Sequence, residues 1–254
     1  MSNELIFHSY TESDHDHSAQ IHFPAGRVYA QQWEKLAEAA EELGDGTIYL
    51  TSRAQCQIRG LSSPVDVEPC ATVVSTPGHF IELAHDIAGA VRRELVIGLD
   101  AGDGAILRQD LDFAFLLVDD SFHLYVNGEP AHSSVGLDDV VTVLLQLSES
   151  PELSVETPLL SPTAAVELNN APATPAPIGW LEHDGLVSLG AGIPGGEVPS
   201  RLARFIAVIE AETTITPWNS LIIHDLNEAV AEQVVKVLAP MGLVFDANSP
   251  LLEN

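Results

Sequence analysis

The sequence is poor in cations. Ten Lys and Arg stand against 37 Asp and Glu, a net charge of −27. Nucleic acid and anionic membrane surfaces are both held mainly through Lys and Arg, so this balance excludes both as partners. A polyanionic small molecule is disfavoured too, unless the few cations are gathered in one place. Cysteine is equally scarce: Cys56 and Cys70 are the only two, and they build neither a disulfide framework nor a four-thiolate site. Long apolar runs are missing. The longest, Val140 to Leu147, is broken by Thr142 and Gln146 and falls far short of the ~18 residues of a membrane span. The opening stretch MSNELIFHSYTESDHDH lacks a basic region followed by an apolar run, so no signal peptide and a cytoplasmic location are expected. No Gly-rich phosphate loop, nucleophile elbow or zinc-ligand spacing occurs, and no catalytic residue or metal site is assigned.

What is present is enough apolar material for a core. Hydrophobic residues make up 46% of the 254, which argues against wholesale disorder. The length suits one large domain or two of ordinary size, at roughly 150 residues each. Leu5–Tyr10 and Ala19–Phe23 read as strands around a polar turn. Trp33, Leu36, Ala37, Ala40 and Leu43 have helical spacing over Gln31–Leu43, with Gly44 as the stop. Thr47–Leu50 and Ala54–Ile58 read as strands joined by an Arg-bearing bend. A second region shows a helix over His79–Leu95, strands at Phe113–Val118 and His123–Val126, a turn at Asn127-Gly128, and a helix over Leu137–Leu147. Asp138 and Asp139 suit the positive end of that last helix. Ser161 to Pro177, with four prolines, has a linker's composition.

The third region repeats the first. Phe23-Pro-Ala-Gly-Arg-Val28 matches Ile193-Pro-Gly-Gly-Glu-Val198, and a helix follows each. Leu50-Thr-Ser-Arg53 then matches Ile215-Thr-Pro-Trp218, and Ala54–Leu61 matches Asn219–Leu226. The offset is 170 residues at the start and 165 at the end, so the second copy is five residues shorter in between.

These residues carry a resemblance. Phe23-Pro-Ala-Gly-Arg-Val, the helix at Trp33 and Tyr49-Leu-Thr-Ser-Arg-Ala-Gln-Cys-Gln-Ile-Arg-Gly-Leu61 resemble the first ferredoxin-like half-domain of nitrite/sulfite reductases. Ile178-Gly-Trp180, the Pro194-Gly195-Gly196 turn and Thr216-Pro-Trp-Asn-Ser-Leu221 resemble the second. The Thr-Pro-Trp form and the short middle region are nearest the precorrin-3B synthase branch. The resemblance implies an α+β fold: two ferredoxin-like half-domains related by a pseudo-twofold, with an inserted α+β lobe. It places the first half-domain at 1–66, the lobe at 67–156, a Pro-rich linker at 157–177 and the second half-domain at 178–254.

The family holds a sirohaem and a four-iron cluster. Its cluster lobe opens with C-x5-C, followed by C-x3-C, and the sequence stops near the point where those cysteines would begin. Four thiolates are needed, so no 4Fe–4S cluster is expected here. No cofactor is fixed by the residues themselves, and sirohaem or a related tetrapyrrole is the candidate that the resemblance implies. In the family the arginine of the Thr-x-Arg bend points at the haem and its anionic substrate, which marks Arg53. Arg59, six residues on, is the second candidate, and Arg27, after the Pro-Ala-Gly turn, the third. A guanidinium suits this role because its planar fork pairs with carboxylates at two points. The second copy has Trp218 and His224 where Arg53 and Arg59 stand. His22 occupies a place where relatives tend to carry a cation.

Two features oppose ordinary haem binding or metal binding. The lobe's Lys-x-Lys element is replaced by Leu107-Arg-Gln-Asp-Leu-Asp-Phe113, whose carboxylates would repel a polycarboxylated macrocycle. His15-Asp16-His17, with Asp14, His8 and His22 nearby, has ligand chemistry but reads as a solvated turn. Three functions follow: a precorrin-3B synthase-like or reductase-like protein of cobalamin or sirohaem metabolism without its own cluster; a non-catalytic scaffold reusing the fold, with a protein partner or self-association; or a fragment completed by a separate cluster-bearing lobe.

Overall fold

In the computed structural model, residues 5–12, 17–149, 176–183 and 185–252 are described. The His15-Asp16 pair and nearly all of the Pro-rich stretch lie outside them. The chain divides into two compact units, Met1–Glu68 with Ala176–Asn254, and Pro69–Pro175.

The first half-domain begins with a hairpin, β1 (Phe7–Glu12) and β2 (His17–Ile21). A tight Pro24–Gly26 turn and a two-residue strand, β3 (Arg27–Val28), lead into helix α1 (Ala30–Leu43). The Gln32 side chain accepts from the Tyr29 N–H at 2.9 Å and caps the helix start. Trp33, Leu36, Ala37 and Ala40 form its buried stripe. Gly44 ends α1, yet its φ of −121° is not left-handed. Glycine is needed there for close approach, since a Cβ would come within 2.5 Å of the Arg59 carbonyl oxygen. Strands β4 (Thr47–Leu50) and β5 (Cys56–Arg59) follow and pair antiparallel.

The second unit is a five-stranded sheet. β6 (Thr72–Ser75), α2 (Ile81–Ala90) and β7 (Val96–Asp100) make a crossover, with β6 parallel to β7. The helix is shorter than its apolar pattern suggests: Phe80 is left-handed, with φ 56°, Val91 turns extended, and the Leu95 carbonyl is taken by the Thr72 N–H at 2.7 Å. β8 (Phe113–Val118) runs parallel to β7, then β9 (Ser121–Val126) and β10 (Glu129–Val135) return antiparallel. Asn127 and Gly128, with φ 50° and 81°, give the hairpin between them the backbone a two-residue turn requires. The order across the sheet is β10-β9-β8-β7-β6, and α3 (Val140–Glu149) follows a short turn containing Asp138 and Asp139. Fully buried Asp100 closes the loop after β7, accepting from the N–H groups of Gly102, Gly104 and Ile106 at 2.8–2.9 Å.

The second half-domain repeats the first: β11 (Gly179–His183), β12 (Leu186–Gly192), the Pro194–Gly196 turn, β13 (Glu197–Pro199), α4 (Ser200–Val208), β14 (Thr213–Thr216) and β15 (Ser220–Leu226). It adds α5 (Glu228–Leu238), whose start is capped by Asn227 accepting from the Val230 N–H at 2.9 Å. The sheets have the orders β1-β2-β5-β4-β13 and β11-β12-β15-β14-β3. Each half-domain thus lends its short strand to the other's sheet. The five-residue difference is taken from the helix, 14 residues in α1 against nine in α4.

The exchange is reciprocal down to the turns. Gly26 and Gly196 both have φ +68°, and Ala25 and Gly195 have 55° and 68°. A Cβ on Gly26 would run into the carbonyl oxygen of Ile215, and one on Gly196 would come within 3.0 Å of that of Leu50. α1 packs on α4, and a single core contains buried residues of both half-domains. At its centre fully buried Trp33 donates from Nε1 to Thr213 Oγ1 at 2.8 Å, and that hydroxyl donates to the Val28 carbonyl at 2.8 Å.

Candidate functional site

Alternation along β4 and β5 decides which side chains leave the core. Ile48, Leu50, Cys56 and Ile58 point inward and are buried. Tyr49, Gln57 and Arg59 are left for the opposite face, joined there by Gln20 of β2, which pairs with Gln57. On that face the Arg59 guanidinium lies over the Tyr49 ring, 4.0 Å from its centroid, and Nε donates to Gln57 Oε1 at 2.9 Å. Tyr49 in turn donates to Asp45 Oδ2 at 2.8 Å, and this bond is the first cause that raises its phenol pKa above the ordinary value. Among the described residues these are the Arg59 contacts seen, which leaves the outer edge of its fork, Nη1 and Nη2, for an anion. The geometry suits two-point pairing with a carboxylate beside a flat aromatic surface.

Arg53 sits in the bend before β5, where the Thr51 hydroxyl accepts from its N–H at 3.3 Å and Ala54 takes a positive φ of 53°. It is half-buried. Arg53 and Arg59 lie at opposite ends of β5, a strand spanning roughly 13 Å. Separated by the length of the strand, they do not converge on a single oxygen pair. Arg27 is elsewhere: as part of β3 it pairs with Thr214 in the other sheet and forms an ion pair with Glu212. Its side chain is only 18% exposed, so it is not a solvated loop cation, and burial lowers its basicity.

The register fixes the counterpart of each residue. Glu197, Tyr49 and Gln57 lie in line in one sheet, as Arg27, Thr214 and Ile222 do in the other. Arg59 therefore corresponds to His224, and Arg53 to Trp218. The bend is conserved in shape, since Thr216 Oγ1 accepts from the Trp218 N–H at 3.3 Å and Asn219 has φ 48°. Its chemistry is not. His224 Nε2 is hydrogen-bonded to Thr214 Oγ1 at 2.7 Å, and burial, then Arg27, lower its pKa. Thr216 and Ser220 bond each other at 2.5 Å. Other parts of the chain close over this face as well: a Cβ at Gly190 would strike the Pro177 carbonyl, and one at Gly192 the Leu252 side chain.

The remaining candidates have local roles. His22 is buried with its ring edge-on to His8, the centroids 6.2 Å apart. Asp112 of the lobe accepts the Val96 N–H at 2.7 Å, which holds the start of β7. No group of three or more His, Cys, Asp or Glu able to hold a metal ion occurs among the described residues. No described helix is long and apolar enough to cross a membrane. Cys56 is fully buried and its thiol pKa is pushed far up, while burial pushes that of Cys70 up to about 11. The two belong to different units. Two protonated thiols do not fit a four-iron cluster, which needs four thiolates.

Sequence reasoning picked out Arg59 without its platform. Tyr49 and Gln57 were within reach, because the alternation that buries Ile48, Cys56 and Ile58 also turns them outward.

Residues 10–65 match the nitrite/sulfite reductase ferredoxin-like half domain. No curated protein matches the sequence. The solved structure of the Mycobacterium tuberculosis NirA protein is similar with a TM-score of 0.70 at 16% identity, covering 91% of this chain and 57% of that one. The chain therefore spans little more than half the length of NirA. Together these findings support a nitrite/sulfite reductase-like fold, with a half-domain of that family at residues 10–65.

Proposed function

We propose that the protein binds a polycarboxylated tetrapyrrole, sirohaem or a precursor of it or of cobalamin, on the outer face of the first half-domain. In this reading it is nearest the precorrin-3B synthase branch, works in the cytoplasm and has no iron–sulfur cluster of its own. The observation that supports it is Arg59 placed over Tyr49 and bonded to Gln57, with the outer edge of its fork unspent among the described residues. A macrocycle laid on this face would meet the Arg59 fork at one end of β5 and Arg53 at the other. When bound, the group would supply a conjugated macrocycle with ring carboxylates. The protein's part is to pair those carboxylates with guanidinium and to present aromatic and amide surface to the ring. The surrounding negative charge limits affinity and makes it salt-sensitive over a Debye length of about 8 Å at physiological ionic strength.

Calorimetric and absorbance titration of sirohaem into wild type and Arg53→Ala tests this. Loss of a charge-assisted hydrogen bond should weaken binding by about 1.5–3 kcal/mol. Arg53→Lys should restore only part of the loss, because two-point geometry is gone. Equal affinities would make Arg53 a counter-charge only. No binding to any of the three would move the assignment to a non-catalytic interaction protein. Stoichiometric iron with acid-labile sulfide in anaerobically purified protein would contradict the cluster-free reading.

A further inference from the structure

On the outer face of the first sheet most polar groups around Arg59 are already paired, and a second charged one is not. Gln20, Gln57, Tyr49 and Glu197 lie in line across the sheet, on β2, β5, β4 and β13. Gln57 uses both ends of its amide, accepting from Arg59 Nε at 2.9 Å and donating to Ser18 Oγ at 2.9 Å. The Tyr49 hydroxyl is committed to Asp45. Both Asp45 oxygens are taken in turn, one by that hydroxyl and the other by the Thr47 N–H at 2.9 Å. Two charged groups are left beside Tyr49: the outer edge of the Arg59 fork and the carboxylate of Glu197. Glu197 is exposed, and among the described residues it makes no side-chain hydrogen bond or ion pair. Directly opposed cross-strand residues have Cβ atoms about 5 Å apart, so Glu197 adjoins the ring that Arg59 covers. After the Asp45 bond and burial, its charge is a further cause of the raised Tyr49 pKa.

The repeat shows why Glu197 has no partner. By the 170-residue offset its counterpart is Arg27, which is paired with Glu212. In the first half-domain the residue in the place of Glu212, 165 positions earlier, is Thr47, which carries no charge. The exchanged strand β13 therefore brings an unneutralised carboxylate to the platform that holds Arg59.

We infer that Glu197 is a specificity-determining residue of this platform, which prefers a flat ring carrying a carboxylate with an amide or ammonium N–H group beside it. The inference rests on the tetrapyrrole-binding reading above and narrows it. A macrocycle with one acid chain converted to an amide or amine suits the face better than one whose chains are all acids. Arg59 pairs with the acid chain at two points. Glu197 accepts from the N–H donor and repels a second carboxylate. The second half-domain thus contributes a residue to a site that lies on the first.

The test compares two rings that differ at one chain: mesoporphyrin, with two propionates, and its mono(2-aminoethyl)amide, in which one chain ends in an ammonium group. Each is titrated by absorbance into the whole chain as wild type, Glu197→Gln and Glu34→Gln at fixed ionic strength. Glu34 is exposed on α1, which packs on the core face of this sheet, so its substitution controls for the loss of one negative charge. The acidic chain as a whole favours the second ring, and the decisive quantity is therefore the change on substitution. Glu197→Gln should tighten mesoporphyrin binding and weaken that of the aminoethylamide, each about two- to fivefold, the scale of an exposed charge pair. Glu34→Gln should leave both nearly unchanged. Tighter binding of both rings by Glu197→Gln would mean that Glu197 only neutralises Arg59, and would overturn the inference. Equal effects of the two substitutions would overturn it as well, and in both cases the binding reading stands. Binding of neither ring by the wild type would overturn that reading and this inference with it.

Discussion

At one matched position the half-domains have opposite chemistry. Arg59 is exposed, spread over Tyr49 and charged. His224 is largely buried, bonded to Thr214, and disfavoured as a cation by burial and by Arg27. The backbone around both is the same, with the same Thr-anchored bend and the same positive-φ residue before the strand. A repeated backbone therefore does not carry a repeated function. One face has been left as a charged, aromatic platform. The other has been sealed by Thr and Ser pairs, by main chain lying against Gly190 and by the Leu252 side chain against Gly192. The outward helices differ in the reverse sense, with charged α1 in the first half and exposed Val208 and Val237 on α4 and α5 in the second.

The largest expected effects lie where the halves interlock. Gly26→Ala would place a Cβ in a left-handed backbone and against the Ile215 carbonyl, so strain and overpacking add to about 2–6 kcal/mol. Gly196→Ala meets Leu50 at 3.0 Å and should cost less. Urea denaturation of the two variants measures the difference, and equal midpoints would break the claim that the first turn is the tighter of the two. Next is Trp33→Phe, which removes the donor to Thr213 and leaves space around a smaller ring, for about 1–3 kcal/mol. Because one core is shared by both halves, their amides should lose protection from hydrogen exchange together in this variant, and loss in one half alone would show that the halves are separable.

The smallest effect concerns Arg204 and Glu41, which tie α4 to α1 through two hydrogen bonds, one of them 2.9 Å. Bonds from Arg204, then Ser200, hold the Glu41 carboxyl at about 2, below its usual 4.5. A lowered folded pKa means the contribution is complete above about 4.5 and disappears as pH falls towards 2. Both side chains are well exposed, so solvent and salt screen the pair. Stability of wild type and Glu41→Gln should therefore converge as pH drops through that window. A gap that persists at pH 2 would mean the substitution acts through something other than charge.

Much of this architecture was legible in the residues. The two Pro-x-Gly turns and their 170- and 165-residue offsets revealed the repeat, because a positive-φ turn constrains sequence strongly. Helix α1 was readable from Trp33 to Leu43, since an amphipathic stripe repeats with the helical period. The exchange of β3 and β13 was not, because two- and three-residue strands have no period and their partners lie 185–187 and 148–152 residues away. β7 was hidden for another reason. A parallel strand covered on both faces, Val-Ile-Gly-Leu-Asp, does not alternate and so gives no period-two signal. α5 also escaped notice, because the repeat had no second helix to compare it with. At the candidate site Arg53 and Arg59 were marked by the family resemblance of the Thr-x-Arg bend and the strand after it. The Tyr49 platform needed the cross-strand register, and the fate of Arg27 depended on Glu212 in a distant segment.

The asymmetry between Arg59 and His224 is the centre of this account, and one titration addresses it. Sirohaem binding is measured by absorbance for wild type, Arg59→Gln and His224→Gln at fixed ionic strength. The account predicts that Arg59→Gln weakens binding by about 1–2 kcal/mol, roughly 5- to 30-fold, while His224→Gln leaves it unchanged. Equal losses in both variants, loss only in His224→Gln, or no binding by the wild type would contradict it.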